Sequence, residues 1–76
     1  MGIMRIIDET GDTAVTWAEE DTESLARAES LFDLMTAKRH IPFARPKGGT
    51  AEEAERISSF RPEAEEILWV RPIAGG

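Results

Sequence analysis

The sequence predicts an α+β domain, a mixed sheet of four to five strands with one helix packed across one face. Three observations carry that expectation. Two β-rich runs near the start are separated by a cluster of turn formers, one long central segment has the apolar period of a helix, and the chain closes on a compact apolar run, Ile67-Leu68-Trp69-Val70. At 76 residues there is room for one domain, expected over residues 1–71 with a short tail over 72–76. A chain of this size buries only about 60% of the surface that its unfolded form exposes, which leaves little room for a catalytic pocket.

Residues 3–8 and 13–17 are the first two strands, and Glu9-Thr10-Gly11-Asp12 between them makes a β-hairpin. In the second, Thr13, Val15 and Trp17 share one face, so Val15 and Trp17 are expected to point inward. In the first, Met4 and Ile6 share one face and Ile3, Arg5 and Ile7 the other, which suits a central strand. Asp21 is placed to cap a helix over 22–39, because its carboxylate can accept from amides of the next turn. Within it Leu25, Ala28, Phe32 and Met35 recur at spacings of three and four, with Leu31 widening the stripe. Lys38, Arg39 and His40 complement the negative end of the helix dipole, and Pro42 prevents continuation.

Residues 41–45 read as a short edge strand, with Ile41 and Phe43 on one face and a proline inside. Pro46-Lys47-Gly48-Gly49 is a loop. Thr50-Ala51-Glu52-Glu53 matches a capping box and opens a helical turn, after which a short extended piece is expected; a helix through Ile57 and a strand around 56–60 are the alternatives. Pro62 pushes Arg61 out of the helical region and makes a turn. The final strand runs over 67–71 from a start near Glu66, and the first and last strands are expected at the centre of the sheet. Pro72 ends its pairing. Since strands alternate, Leu68 and Trp69 cannot both lie under the one helix, so one of them contributes to an apolar, partner-facing patch on the open face.

Acids outnumber bases 15 to 9, giving a formal charge of −6, the wrong sign for a phosphate-binding protein and a reason to expect a basic protein surface as partner instead of nucleic acid. The absence of cysteine removes disulfides, thiolate chemistry and cysteine metal sites and fits a reducing cytoplasm. No apolar run reaches membrane-spanning length, and no signal-peptide core is present. His40 alone lacks the companions that a metal site needs, and Glu19, Glu20, Asp21 and Glu23 lack the spacing of a calcium loop, so no metal and no cofactor are expected. With one His, no Cys, no Tyr and no glycine-rich phosphate loop, no nucleophile, base and orienter assemble, and the chain reads as a binding or carrier module and not an enzyme.

A hairpin, one amphipathic helix, a short strand and a final strand that runs out as Arg71-Pro72-Ile73-Ala74-Gly75-Gly76 resembles the β-grasp fold of ubiquitin and its prokaryotic relatives. The likeness in order of elements covers nearly the whole chain; in residues it lies in the last strand and the Gly-Gly. The resemblance implies a protein modifier: Gly76 would carry the reactive carboxylate, Gly75 the slim approach, and Arg71, Pro72, Ile73 and Ala74 the tail that an activating enzyme reads. That partner adenylates the carboxylate with ATP, and a conjugating enzyme, target proteins and a deconjugating protease complete the set. Ubiquitin's own tail is Leu-Arg-Leu-Arg-Gly-Gly, and the departure here implies a dedicated prokaryotic activating enzyme. Lys38 and Lys47 are the only lysines and so the candidate acceptors for lysine-linked chains. The same Gly-Gly end occurs in the sulfur carriers of molybdopterin and thiamine biosynthesis, which makes a Gly76 thiocarboxylate the nearest alternative. A structural or adaptor protein, of phage-related or oligomeric type, with the glycines only a tail, is the alternative from another class.

Overall fold

Parallel pairing of the first strand with the last sets the sheet. The computed structural model describes residues 1–8 and 11–71, with the backbone alone at positions 7, 8, 11, 12 and 51. The strands are β1 (Gly2–Asp8), β2 (Gly11–Trp17), β3 (Ile41–Arg45), β4 (Glu55–Arg56) and β5 (Glu66–Val70), with helix α1 (Thr22–Ala37) between β2 and β3 and one 3₁₀ turn at Ala51–Glu53. They form one mixed sheet in the order β2-β1-β5-β3-β4. Only β1 and β5 run parallel, and the other pairs are antiparallel. The fold is the β-grasp arrangement, with α1 laid across one face and β1 and β5 at the centre, as the sequence predicts.

Register decides what lies under the helix. Met4 stands opposite Val15 on one side and Ile67 on the other, and Trp69 stands between Ile6 and Pro42. Met4, Ile6, Trp17, Ala44, Ile67 and Trp69 form the sheet side of the core, closed from above by Ala28, Phe32 and Met35 of α1. Phe32 meets Trp69 edge-on at 4.9 Å between ring centroids, within the range where aromatic pairs add about 0.5–1.5 kcal/mol to the gain from burial. Leu25 and Leu31 pack at the rim of this core, and Leu34, which faces away from it, is 51% exposed.

Both ends of α1 follow from local chemistry. The Asp21 carboxylate accepts from the Glu23 amide at 3.2 Å, and Ser24 Oγ accepts from the Ala18 amide at 3.0 Å while donating to the Asp21 carbonyl. The Asp21 side chain thus satisfies one of the orphan amides of the first turn, and Ser24 ties that turn to the chain before it. The helix stops at Ala37, two residues before the expected end, because Arg39 adopts φ of 65° and turns the chain. The His40 amide then reaches back to the Met35 carbonyl and the Arg39 amide to Thr36, the double closure of a Schellman motif with arginine where glycine is usual.

The expectation of an edge strand over 41–45 is corrected, since β3 lies between β5 and β4. Pro42 is tolerated there because of the side on which its missing N–H falls. Its carbonyl accepts from the Ile57 amide at 3.1 Å, so its nitrogen also faces the β4 side, where the two-residue β4 pairs only with Phe43 and Ala44. The segment at 50–57 forms a helical turn followed by a short extended piece. Half of the expected capping box forms: the Glu53 carboxylate accepts from the Thr50 amide at 3.4 Å, while the Glu53 amide donates to the Thr50 carbonyl and the Thr50 hydroxyl donates to the Glu53 carboxylate.

Trp17 ties the long connection before β5 to the sheet. Its indole N–H donates to the Pro62 carbonyl at 2.9 Å and its ring meets Phe60 edge-on at 5.1 Å. Gly2 is the residue directly opposite Trp17, and the ring lies so close that a Cβ on Gly2 would fall 2.2 Å from Cζ2. A side chain at position 2 is incompatible with this packing.

Candidate functional site

Alternation along the central strands builds an open face opposite α1. Ile3 and Arg5 of β1, Glu66, Leu68 and Val70 of β5, and Ile41, Phe43 and Arg45 of β3 share it, because each stands one residue out of step with the buried set. Leu68 is opposite Phe43, and Val70, 41% exposed, is opposite Ile41. These four half-buried or exposed residues make one apolar strip across β3 and β5, which ends in a shallow recess of about 270 Å3 lined by Leu68, Trp69, Val70 and Arg71.

The sheet separates the two residues proposed as a partner-facing patch. Leu68 belongs to the strip; Trp69, 1% exposed beneath α1, offers almost no accessible surface there although it forms part of the recess lining. Its adjacent place in the sequence is the reason, since neighbouring residues of a strand face opposite ways. Ile41, Phe43 and Val70 join Leu68 instead. The signal for the first two was present in the alternation of residues 41–45, but only the pairing of β3 with β5 puts them beside Leu68.

Charge on this face runs against that of the chain. Glu66 is held from both sides, by Arg5 Nε at 3.0 Å and by Arg45 Nε at 3.5 Å. Arg45 also donates to the Glu65 carboxylate and, at 3.0 Å, to the Gly49 carbonyl. The hydrogen bond to Glu65, against some loss of hydration and with help from Glu66, raises the Arg45 pKa further above its already high value, so the guanidinium stays charged. Arg56 is exposed and stands beside Phe43. The apolar strip is therefore bordered by arginines, although the chain as a whole is acidic.

The remaining sequence candidates lie apart from this face. Lys38 is exposed at the C-cap of α1. Lys47 is exposed in the turn after β3, at the rim of a cleft of about 580 Å3 whose lining also includes Glu53, Glu55, Arg61 and Glu63. His40 contacts the Lys38 carbonyl at 3.4 Å, at the end of the helix. Among the described residues no three His, Asp or Glu side chains gather to hold a metal ion, and no helix is long and apolar enough to cross a membrane. Arg71 is exposed where the chain leaves β5, while Pro72, Ile73, Ala74, Gly75 and Gly76 lie outside the described residues. Comparison of the chain with protein-family models, with curated proteins and with solved structures finds no match.

Proposed function

We propose that this domain is a ubiquitin-like protein modifier, activated at the Gly76 carboxylate and joined through it to amines on target proteins in the cytoplasm. The observation that carries the reading is the position of β5. It is a central strand of a β-grasp sheet, it brings the chain out at Arg71, and Pro72-Ile73-Ala74-Gly75-Gly76 follows within five residues. The arginine-bordered strip of Leu68, Phe43, Ile41 and Val70 lies on the same strand and its neighbour, and provides a surface by which an activating or conjugating enzyme would hold the domain.

In this chemistry the modifier supplies position and the partner supplies catalysis. A Gly76 carboxylate oxygen attacks the α-phosphate of ATP and pyrophosphate leaves. A target amine, directly or after an enzyme thiol, then attacks the acyl carbon, AMP or the thiol leaves, and an amide remains. The reading requires a free carboxylate at Gly76, which intact mass measures directly. Protein recovered from its native host is compared with a chain truncated before Gly75. Adducts joined through a Gly76 amide, absent from the truncated form, are expected. A mass gain matching replacement of one oxygen by sulfur assigns the chain to the sulfur carriers instead. Recovery of only the unmodified chain, with the truncated form behaving identically, refutes both and leaves an adaptor role.

A further inference from the structure

The two edges of the sheet are unlike. At one, β4 is two residues long and both, Glu55 and Arg56, are charged and exposed. Short length and charge are the usual means by which an edge is kept from pairing with another chain. At the other, β2 is seven residues long, has no proline, and carries no charge from Thr13 to Trp17. Thr13, Ala14 and Thr16 are exposed along it, and among the described residues no strand pairs with its outer side.

The backbone polarity of that edge follows from one hydrogen bond. The Ile3 amide donates to the Glu65 carbonyl at 3.0 Å, so Ile3 and Arg5 turn their amides toward β5 and Gly2, Met4 and Ile6 turn theirs toward β2. The pairs Gly2 with Trp17, Met4 with Val15 and Ile6 with Thr13 are then the hydrogen-bonded ones of the hairpin. The intervening residues of β2, Asp12, Ala14 and Thr16, direct their N–H and C=O groups outward. Each is a donor and an acceptor on the outer side of the sheet's first strand.

We propose that β2 is a self-association edge, at which a second copy of this chain adds its own β2 antiparallel about a two-fold axis through Ala14. Three features favour a second copy as occupant. With Ala14 facing Ala14, Asp12 stands opposite Thr16 and Thr13 opposite Val15, so no like charges face each other and the smallest side chain sits on the axis. The pairing is isologous and each copy spends in it the one long edge among its described strands, so association closes at a dimer with a ten-stranded sheet, the charged β4 edges lying outermost. The open faces stay accessible, and the arginine-bordered strip of each copy is left exposed.

Sedimentation equilibrium of the full chain from micromolar to millimolar concentration tests this, with Ala14→Pro, Ala14→Lys and Ala14→Glu alongside. Proline at position 14 removes an outward N–H and leaves the hairpin bonds in place, and lysine puts like charges on the axis at a site exposed in the monomer. Circular dichroism and thermal melts check that each variant is folded. The wild type is expected to dimerise, and more tightly at high salt because each copy carries a charge of −6. Ala14→Pro and Ala14→Lys are expected to weaken the dimer by about tenfold or more. An equimolar mixture of the folded Lys and Glu variants is expected to associate more tightly than either alone. A wild type that remains monomeric to millimolar concentration, a dimer that persists unchanged in Ala14→Pro and Ala14→Lys, or a mixture no tighter than its components would overturn the proposal.

Discussion

Replacing Gly2 by alanine adds one methyl group, and it should be among the most damaging small substitutions in the chain. The new Cβ would lie 2.2 and 2.4 Å from Cζ2 and Cε2 of Trp17 and 2.7 Å from the Ala64 carbonyl oxygen. Ordinary carbon contact needs about 3.5–4.0 Å, so the indole or the strand has to move by more than about 1 Å. The ring has nowhere easy to go: Trp17 is 1% exposed, packed against Phe60 and hydrogen-bonded to Pro62. Overpacking of this kind costs about 1–3 kcal/mol, and losing the Trp17 to Pro62 hydrogen bond in a part-buried site adds about 1–3 kcal/mol. Against this, alanine is favoured over glycine within a strand by roughly 0.5–1 kcal/mol. The net loss is about 1–5 kcal/mol, out of a total stability of roughly 4–11 kcal/mol for a domain of this length. At about 4–8 °C per kcal/mol the midpoint should fall by at least about 4 °C. Thermal and urea unfolding followed by circular dichroism measure it, in wild type and in a Trp17→Leu background where the ring is gone. Gly2→Ala should cost less there, because the conflict with the ring and the shared hydrogen bond have been removed and only the contact with the Ala64 carbonyl remains. A Gly2→Ala protein within about 0.5 kcal/mol of wild type, or an equal cost in both backgrounds, would refute the steric reasoning.

Arg39→Gly should stabilise the domain by about 0.5–1 kcal/mol, because Arg39 holds φ of 65° at the end of α1 and glycine adopts that conformation without strain; Arg39→Ala, with the strain retained, should show no such gain in the same melts. The two tryptophans should respond differently to phenylalanine: Trp17→Phe strands the Pro62 carbonyl, whereas the Trp69 indole N–H has no acceptor among the described residues. Trp69→Phe should therefore be the milder change by about 1 kcal/mol in chemical denaturation. Leu68→Ser should leave the fold within about 1 kcal/mol of wild type yet reduce binding to any enzyme that holds the open face, while Trp69→Ala should cost about 3–5 kcal/mol, as a truncation in the core; equal losses of stability would contradict the assignment of the two faces. Arg45, whose pKa is raised by its hydrogen bond to Glu65, contributes stability that is fully present below the ordinary arginine pKa and would be lost only at more alkaline pH. Arg45→Met should accordingly lower the melting temperature by the same amount at pH 7 and pH 9 in titrations of thermal stability, and a difference that vanishes between them would exclude the Arg45 to Glu65 link.

The sequence by itself determined the elements whose causes are local. Asp21 and the stripe of Ala28, Phe32 and Met35 specify α1, since a cap and a 3.6-residue period need no information from elsewhere in the chain. The hairpin pattern and the alternation of Met4 and Ile6 with Ile3 and Arg5 likewise place β1 and β2, and the apolar closing run places β5. Thr50 and Glu53 announce their helical turn for the same reason. Where strands stand relative to one another is a property of contacts distant in sequence. Pro42 argued for an edge, yet β3 is interior, because the missing amide falls on the side where β4 stops short. Alternation showed that Leu68 and Trp69 part company, but which of them faces the helix depends on the register of β5 against β1 and β3. The same register gathers Ile41, Phe43 and Val70 around Leu68, brings Arg5 and Arg45 to Glu66, and sets Gly2 under the ring of Trp17. Local propensity fixes which segments are strands and helix; the pairing of strands, chosen by burial of the whole core, decided which side chains share a face.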